Sequence, residues 1–313
     1  MGWYATFCIF EHPTCIPMKK LNGIHHVTAI CSEAQQNVDF YAGVLGLRLV
    51  KKTVNFDDPN SYHLYYGDRI GSPGTLLTFF AWPGAAKGRI GASEPIAVSF
   101  QVPNGSIDWW AERLRTHQHN GRLGVLDPDG MCVELVEGND GGDERLIERI
   151  WGVTLNLHDL ERSGPLFADE LGFSRVDGGR YQVGQGRDAG YVDVQAGSGG
   201  RGMMGAGTIH HVAFRTEDDA TQEEWLRHVA RLGLHVSPVM DRKYFHSIYF
   251  REPSGVLFEI ATDPPGMTVD EPAEHLGEEL MLPAQYEAAR KQVETILPAL
   301  RVPVYNETVE ARV

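Results

Sequence analysis

Basic residues are scarce: 28 Lys and Arg stand against 42 Asp and Glu, a formal net charge of −14. No local basic stripe offsets this, which excludes a nucleic-acid backbone or an anionic membrane as the main partner. Long apolar runs are also missing. The stretch from Gly74 to Trp82 is among the longest, and it is far too short to cross a bilayer. Cysteine is sparse as well: Cys8, Cys15, Cys31 and Cys132 show no paired spacing. That leaves neither a disulfide framework nor a Cys-type zinc site, and predicts reduced thiols in a cytoplasmic protein. The first seventeen residues carry two of these cysteines with Pro13 and Pro17. They lack the basic start and apolar stretch of a secretory signal, so residues 1–20 read as an extension ahead of the fold.

What is present is a globular mixture, 42% hydrophobic and 22% charged over 313 residues, enough for two domains or for one built of repeats. Repeats are the informative signal. Gly23-Ile-His-His-Val-Thr28 matches Ile150-Trp-Gly-Val-Thr154, and each β-like run leads to a helical stretch ending in a Leu-Gly pair, Leu45-Gly46 and Leu171-Gly172. Both matches share one offset, 126 residues. Asp127-Pro-Asp-Gly-Met-Cys-Val-Glu-Leu135 likewise matches Glu252-Pro-Ser-Gly-Val-Leu-Phe-Glu-Ile260, a polar-Pro-x-Gly turn and then a strand with Glu at a fixed place. Ile96-Ala-Val-Ser-Phe100 echoes His210-His-Val-Ala-Phe214, and each precedes a Trp-bearing helix.

The chain therefore reads as α+β, four βαβββ modules starting near Gly23, Pro95, Ile150 and Thr208. Residues 21–143 form the first half and 144–270 the second, joined through Asn139–Asp143. Ala196–Gly207 is a Gly-rich connector, and 271–313 holds a C-terminal helix, Pro283–Leu297, and a tail. A βαβββ module leaves one sheet face uncovered, so modules must pair, giving two half-open barrels.

Which modules pair decides what converges. First strands carry His26 and His211 in modules one and four, but Ala97 and Gly152 in two and three. Last strands carry Glu134 and Glu259. Pairing one with two, or three with four, gives only two ligands per cleft. Pairing one with four brings His26, His211 and Glu259 together, two imidazoles and a carboxylate, the donor set of non-haem Fe(II) oxygenases with positions left open. That pairing is expected, with Glu134 left as a vestige in the other barrel. The remaining histidines, among them His117, His119 and His275, are expected at the surface.

These motifs, with Arg-Glu-Pro-Ser-Gly-Val-Leu-Phe-Glu-Ile-Ala-Thr-Asp and His-Leu-Gly-Glu in the tail, resemble the ring-cleaving dioxygenases of the vicinal-oxygen-chelate superfamily, of the chlorohydroquinone and hydroquinone type. The resemblance spans Leu21 to Pro303. It implies Fe(II), with Mn(II) as the other candidate, on His26, His211 and Glu259. It also implies supporting roles for His25, Thr28, His210, Arg242 and Tyr249. The expected partners are a small aromatic substrate and dioxygen, with self-association left open. Strand alternation points His25 away from the cleft, so its role requires a twist, a bulge or a place at the rim. The alternatives are a glyoxalase-like isomerase or transferase, whose fourth ligand would fall near Thr78, and a protein that binds aromatic compounds without chemistry.

Overall fold

The computed structural model describes residues 20–119, 121–138, 146–197 and 199–303. Cys8, Cys15, the expected extension apart from Lys20, and the joining segment Asn139–Asp143 lie outside them. The first module comprises β1 (Ile24–Cys31), α1 (Ala34–Val38, prolonged by a π-helical turn to Val44), β2 (Arg48–Asn55), β3 (Asp58–Gly67) and β4 (Leu76–Ala81). The second has β5 (Glu94–Val102), α2 (Ile107–Leu114), β6 (Gln118–His119), β7 (Arg122–Leu126) and β8 (Cys132–Glu137). The third has β9 (Arg149–Leu157), α3 (Leu160–Pro165, prolonged to Glu170), β10 (Ser174–Asp177), β11 (Arg180–Val183) and β12 (Gly190–Ala196). The fourth has β13 (Ile209–Thr216), α4 (Asp219–Arg231), β14 (Met240–Asp241), β15 (Phe245–Arg251) and β16 (Leu257–Pro265).

The repeated motifs are local stop signals. The two Leu-Gly pairs end the α1 and α3 stretches, where Gly46 and Gly172 adopt φ of 75° and 70°, a left-handed turn that side chains resist. The polar-Pro-x-Gly motifs are matching turns. Asp127 Oδ1 accepts from the amides of Asp129 and Met131, and Glu252 from those of Ser254 and Val256. Asp218 caps α4 by accepting from the Thr221 amide at 2.8 Å. Trp110 and Trp225, on α2 and α4, are buried in the core.

The modules pair as the ligand argument requires. One eight-stranded sheet has the order β14-β15-β16-β13-β1-β4-β3-β2, and the other β10-β11-β12-β9-β5-β8-β7-β6. Module one is thus joined to module four through antiparallel β1 and β13, and module two to module three through β5 and β9. Among the described residues no helix is long and apolar enough to cross a membrane.

Two segments differ from the sequence reading. The Gly-rich connector is paired, bridging Arg89 to Met203 and Ala92 to Arg201. The expected Pro283–Leu297 helix begins as a 3-10 stretch, Ala284–Ala289, before α5 (Arg290–Ile296). Ahead of it, residues 267–282 form a strap along the free edge of β2, with the Met281 amide donating to Lys52 O at 2.9 Å. Asp270 in this strap pairs with Lys51 of β2 at 2.7 Å and with Lys243, between β14 and β15, at 2.6 Å. One carboxylate thereby joins β2 to the β14–β15 turn, while the strap itself covers β2 backbone that would otherwise be open to pairing with other chains.

Candidate metal centre

His26 and His211 approach each other because β1 and β13 lie side by side at the sheet centre. Their Nε2 atoms are 3.3 Å apart, and Glu259 Oε2 stands 3.3 Å from His26 Nε2 and 2.9 Å from His211 Nε2. All three side chains are buried, Glu259 completely. Burial pushes the Glu259 carboxyl up, but the two imidazoles outweigh it and hold the group well below the usual carboxylate range. Burial also lowers His211. Three lone-pair donors therefore face one point, and Glu259 Oε2 receives no hydrogen bond of good geometry there. A buried, unsatisfied carboxylate oxygen between two imidazole nitrogens is costly unless a cation joins them. The residues fit a divalent transition metal.

The groups behind the ligands are symmetric. His25 Nδ1 lies 2.9 Å from His26 Nδ1, and His210 Nδ1 lies 2.7 Å from His211 Nδ1. Alternation alone would turn His25 away. The register explains the difference. Ile24 pairs with Phe214 and His26 with Ala213, while Thr28 pairs with His211 and Ala29 with Ile209. His25 and His210 are thus the extra residues of two β-bulges, which re-aim a side chain onto its neighbour's face. With each ligand's Nδ1 engaged, its Nε2 is left for a metal. Ser247 donates to Glu259 Oε1 in the same supporting manner. Ser247→Ala is expected to weaken metal retention about 10- to 100-fold, read by competition with a chelator.

A cavity of about 230 Å³ opens over the cluster. Phe56, Phe80, Trp82, Phe245 and Leu257 give it apolar walls, and Arg242, Tyr249, Thr28 and His210 supply polar points. Arg242 Nε donates to Tyr249 OH at 3.2 Å, and its guanidinium lies 3.4 Å from Asp57 at the rim. Burial and Glu259 raise the Tyr249 phenol above its ordinary value, so it stays protonated. Burial and the neighbouring His211 push His210 down to about 3, leaving it neutral.

The fourth-ligand position is now fixed by register. Glu259 pairs with Ala213, two residues past His211, and Thr78 pairs with Thr28, two residues past His26. Thr78 thus occupies in module one the place of Glu259 in module four, so the cluster that could hold a metal has three members rather than four. His117, His119 and His275 are exposed as expected, but His63 is not a surface residue. It lies on β3, between β2 and β4, and lines the cavity. Its signal in the sequence was the alternation with Tyr65, which puts both side chains on one face.

The second barrel repeats the frame without the histidines. Ile96 and Trp151 are its extra bulge residues, and Ala97 and Gly152 stand at the ligand places. At Gly152 even a Cβ would lie 2.5 Å from the Tyr191 carbonyl oxygen. Glu134 and Asp193 sit at the two carboxylate positions, and Arg122 bridges them. Ser99 adds a hydrogen bond to Glu134 at 2.6 Å, and Arg180 binds Asp193 through two contacts, of 2.6 and 3.0 Å. Glu134 is a structural ion-pair member, and a guanidinium fills the place that matches the His26, His211 and Glu259 cluster of the other barrel.

The family described as the Glyoxalase/Bleomycin resistance protein/Dioxygenase superfamily matches residues 23–135 and 149–260. The chain belongs to this superfamily. MhqO of Bacillus subtilis (strain 168), provisionally named a ring-cleaving dioxygenase, is 45% identical over 299 residues, spanning 88% of this chain and 96% of its own. The chlorohydroquinone/hydroquinone 1,2-dioxygenase of Sphingobium indicum is 34% identical over 309 residues, 88% of this chain and 95% of that one. A solved structure of a provisionally named dioxygenase from Bacillus subtilis superposes with a TM-score of 0.85 at 43% identity, covering 92% of this chain and 100% of that one. Glyoxalase I from Zea mays shares the superfamily fold at a TM-score of 0.59 and 17% identity, over 77% and 92% of the two chains.

Proposed function

We propose that this protein is a metal-dependent dioxygenase that opens a hydroquinone-type aromatic ring with dioxygen. The observation that carries the reading is the convergence of His26, His211 and Glu259, with ligand atoms within 4.8 Å of one another, beside an aromatic-walled cavity. The names of the relatives at 45% and 34% identity support the ring-cleaving assignment. Fe(II) is the expected ion, with Mn(II) the other candidate. When bound, such an ion supplies a site where a phenolate and dioxygen are brought side by side.

The chain's own residues then divide the remaining work. His25 and His210 orient the ligand imidazoles through their Nδ1 contacts. The apolar walls hold the ring and keep bulk water away from its faces, which strengthens each polar contact beside it. His210 lines the cavity, and with its Nδ1 accepting from the His211 Nδ1–H its neutral ring presents Nε2–H as a hydrogen-bond donor to a substrate oxygen. Arg242 and Tyr249, joined by their hydrogen bond, offer positive charge and a hydrogen-bond donor to a phenolate oxygen. Thr28 presents its hydroxyl two residues along the strand from His26, on the same face.

Anaerobic Fe(II) reconstitution followed by oxygen uptake tests this reading. Stoichiometric uptake and a ring-opened product are expected with hydroquinones, more readily than with catechols. Tyr249→Phe should lower kcat about 10- to 100-fold with metal content unchanged, since it removes a donor that does not hold the ion. An iron-loaded protein that consumes no oxygen with any dihydroxybenzene, yet isomerises a thiol adduct, would establish the glyoxalase-like alternative instead.

A further inference from the structure

Module one carries a continuous row of polar side chains beside the ligands. The Thr28 and Thr78 hydroxyls are 2.8 Å apart, Thr78 Oγ1 is 3.0 Å from His63 Nε2, and His63 Nδ1 is 3.0 Å from Tyr65 OH. All four residues are buried, and Thr28, His63 and Tyr65 line the cavity. Among the described residues, neither the Thr28 nor the Tyr65 hydroxyl has a further hydrogen-bond partner.

Counting hydrogens restricts what this row can do. Three hydroxyls and a neutral imidazole carry four exchangeable hydrogens, and the three contacts use three. The fourth must point out of one end. Either Tyr65 donates to Nδ1, Nε2–H donates to Thr78, Thr78 to Thr28, and Thr28 donates outward. Or every bond is reversed, and Tyr65 donates outward. The two arrangements differ by the tautomer of His63. Both open ends face the same cavity, whereas a purely structural row would be closed by protein at its ends. Burial, reinforced by His26 and His211, lowers His63 and keeps it neutral in either arrangement.

We propose that Thr28, Thr78, His63 and Tyr65 form a proton relay in which His63 switches tautomer, carrying a substrate hydroxyl proton from Thr28 to the Tyr65 end of the cavity. The proposal rests on the ring-cleaving reading above. In the resting polarity Thr28 donates to Thr78, Thr78 to Nε2, and Nδ1–H to Tyr65. The substrate O–H bond breaks as its proton passes to Thr28 Oγ1. The Thr28 proton passes to Thr78, the Thr78 proton to Nε2, and the Nδ1 proton to the Tyr65 oxygen. The original Tyr65 proton leaves to a water in the cavity. Each member gains one proton and gives one up, no electrons move, and the row ends neutral and reversed. His63 is here a link between hydroxyls, while Thr28 is the group that meets substrate.

The test uses three variants of the reconstituted full chain. Thr78→Val cuts the row with a side chain of the same shape, and Thr78→Ser keeps the hydroxyl. His63→Gln keeps hydrogen bonding, but its donor and acceptor ends cannot exchange. Thr78→Val and His63→Gln are expected to lose about 10²-fold in kcat with metal content and KM little changed, and Thr78→Ser to recover most of it. A second readout does not involve turnover: nitrogen-15 histidine spectra of the zinc-loaded protein titrated with hydroquinone. His63, assigned by its loss in His63→Gln, should move from the Nδ1–H to the Nε2–H form, and Thr78→Val should abolish the change. Undiminished kcat in both cut variants of an active enzyme overturns the relay and leaves the ring-cleaving reading standing. So does a single His63 tautomer with and without ligand. A wild-type enzyme that takes up no oxygen removes both.

Discussion

Replacing His26, His211 or Glu259 with alanine is expected to empty the metal centre, whereas Glu134→Ala should retain about one ion per chain. Each of the three offers one donor atom to a single point. Thr78, at the matching position in module one, offers only a neutral hydroxyl already engaged with Thr28 and His63. Loss of one donor from a three-donor set should exceed the ~10–100-fold typical of losing a supporting partner. Glu134 is in the other sheet, held by Ser99 and Arg122. Elemental analysis of the purified variants reads the outcome directly. A metal-free Glu134→Ala protein would mean that the second barrel, not the first, holds the ion.

Lys51→Met is expected to be strongly destabilising although it lies outside the metal centre. Lys51 is fully buried, and its ammonium group meets both Asp270 and Glu271, whose side chains are only 11% and 5% exposed. Removing the cation leaves Glu271 buried without a counter-ion and Asp270 with Lys243 alone, a loss of about 3–5 kcal/mol. Chemical denaturation of the wild-type and variant proteins measures it. The double variant with Glu271→Gln should recover much of the loss, because the remaining carboxylate, Asp270, still pairs with Lys243. If Lys51→Met alone unfolds at the wild-type midpoint, the strap does not lock the β2 edge. Burial pushes the Asp270 carboxyl up, but hydrogen bonds from Lys243 and Lys51 outweigh it and hold the group below its ordinary value. A depressed carboxyl contributes stability above its unfolded value, near ~3.9, and loses it as pH falls through the lower folded value. The strap should therefore loosen only in acid.

The pairing of the first and last modules was legible because repeats compare like with like. Once four equivalent first strands were aligned, two kept histidine and two did not, and only one arrangement gathered three donors. The direction of His25 was not legible, since alternation assumes an unbroken ladder and a bulge inserts one residue without marking itself in composition. Asp193 and Arg122 escaped for another reason. Their partners come from different modules, and a salt bridge across a barrel leaves no spacing pattern in either. His63 was hidden by its type: one histidine on a strand resembles any other until the neighbouring strands show both faces covered. The Lys51 contact with the strap joins residues 219 and 220 positions apart, well beyond any periodicity.

The guanidinium in the second barrel has a consequence for how the protein can be handled. In that barrel the acidic pair is neutralised by a side chain that cannot dissociate, so its shape is indifferent to the supply of metal. Under the proposed function, the first barrel leaves the same task to a reversibly bound ion. One half of the molecule is then a permanent template, sharing a continuous apolar core with the half that exchanges its ion. Chelation should yield a folded, reloadable apoprotein, silent in a thermal scan at the second barrel and softened only around β1 and β13.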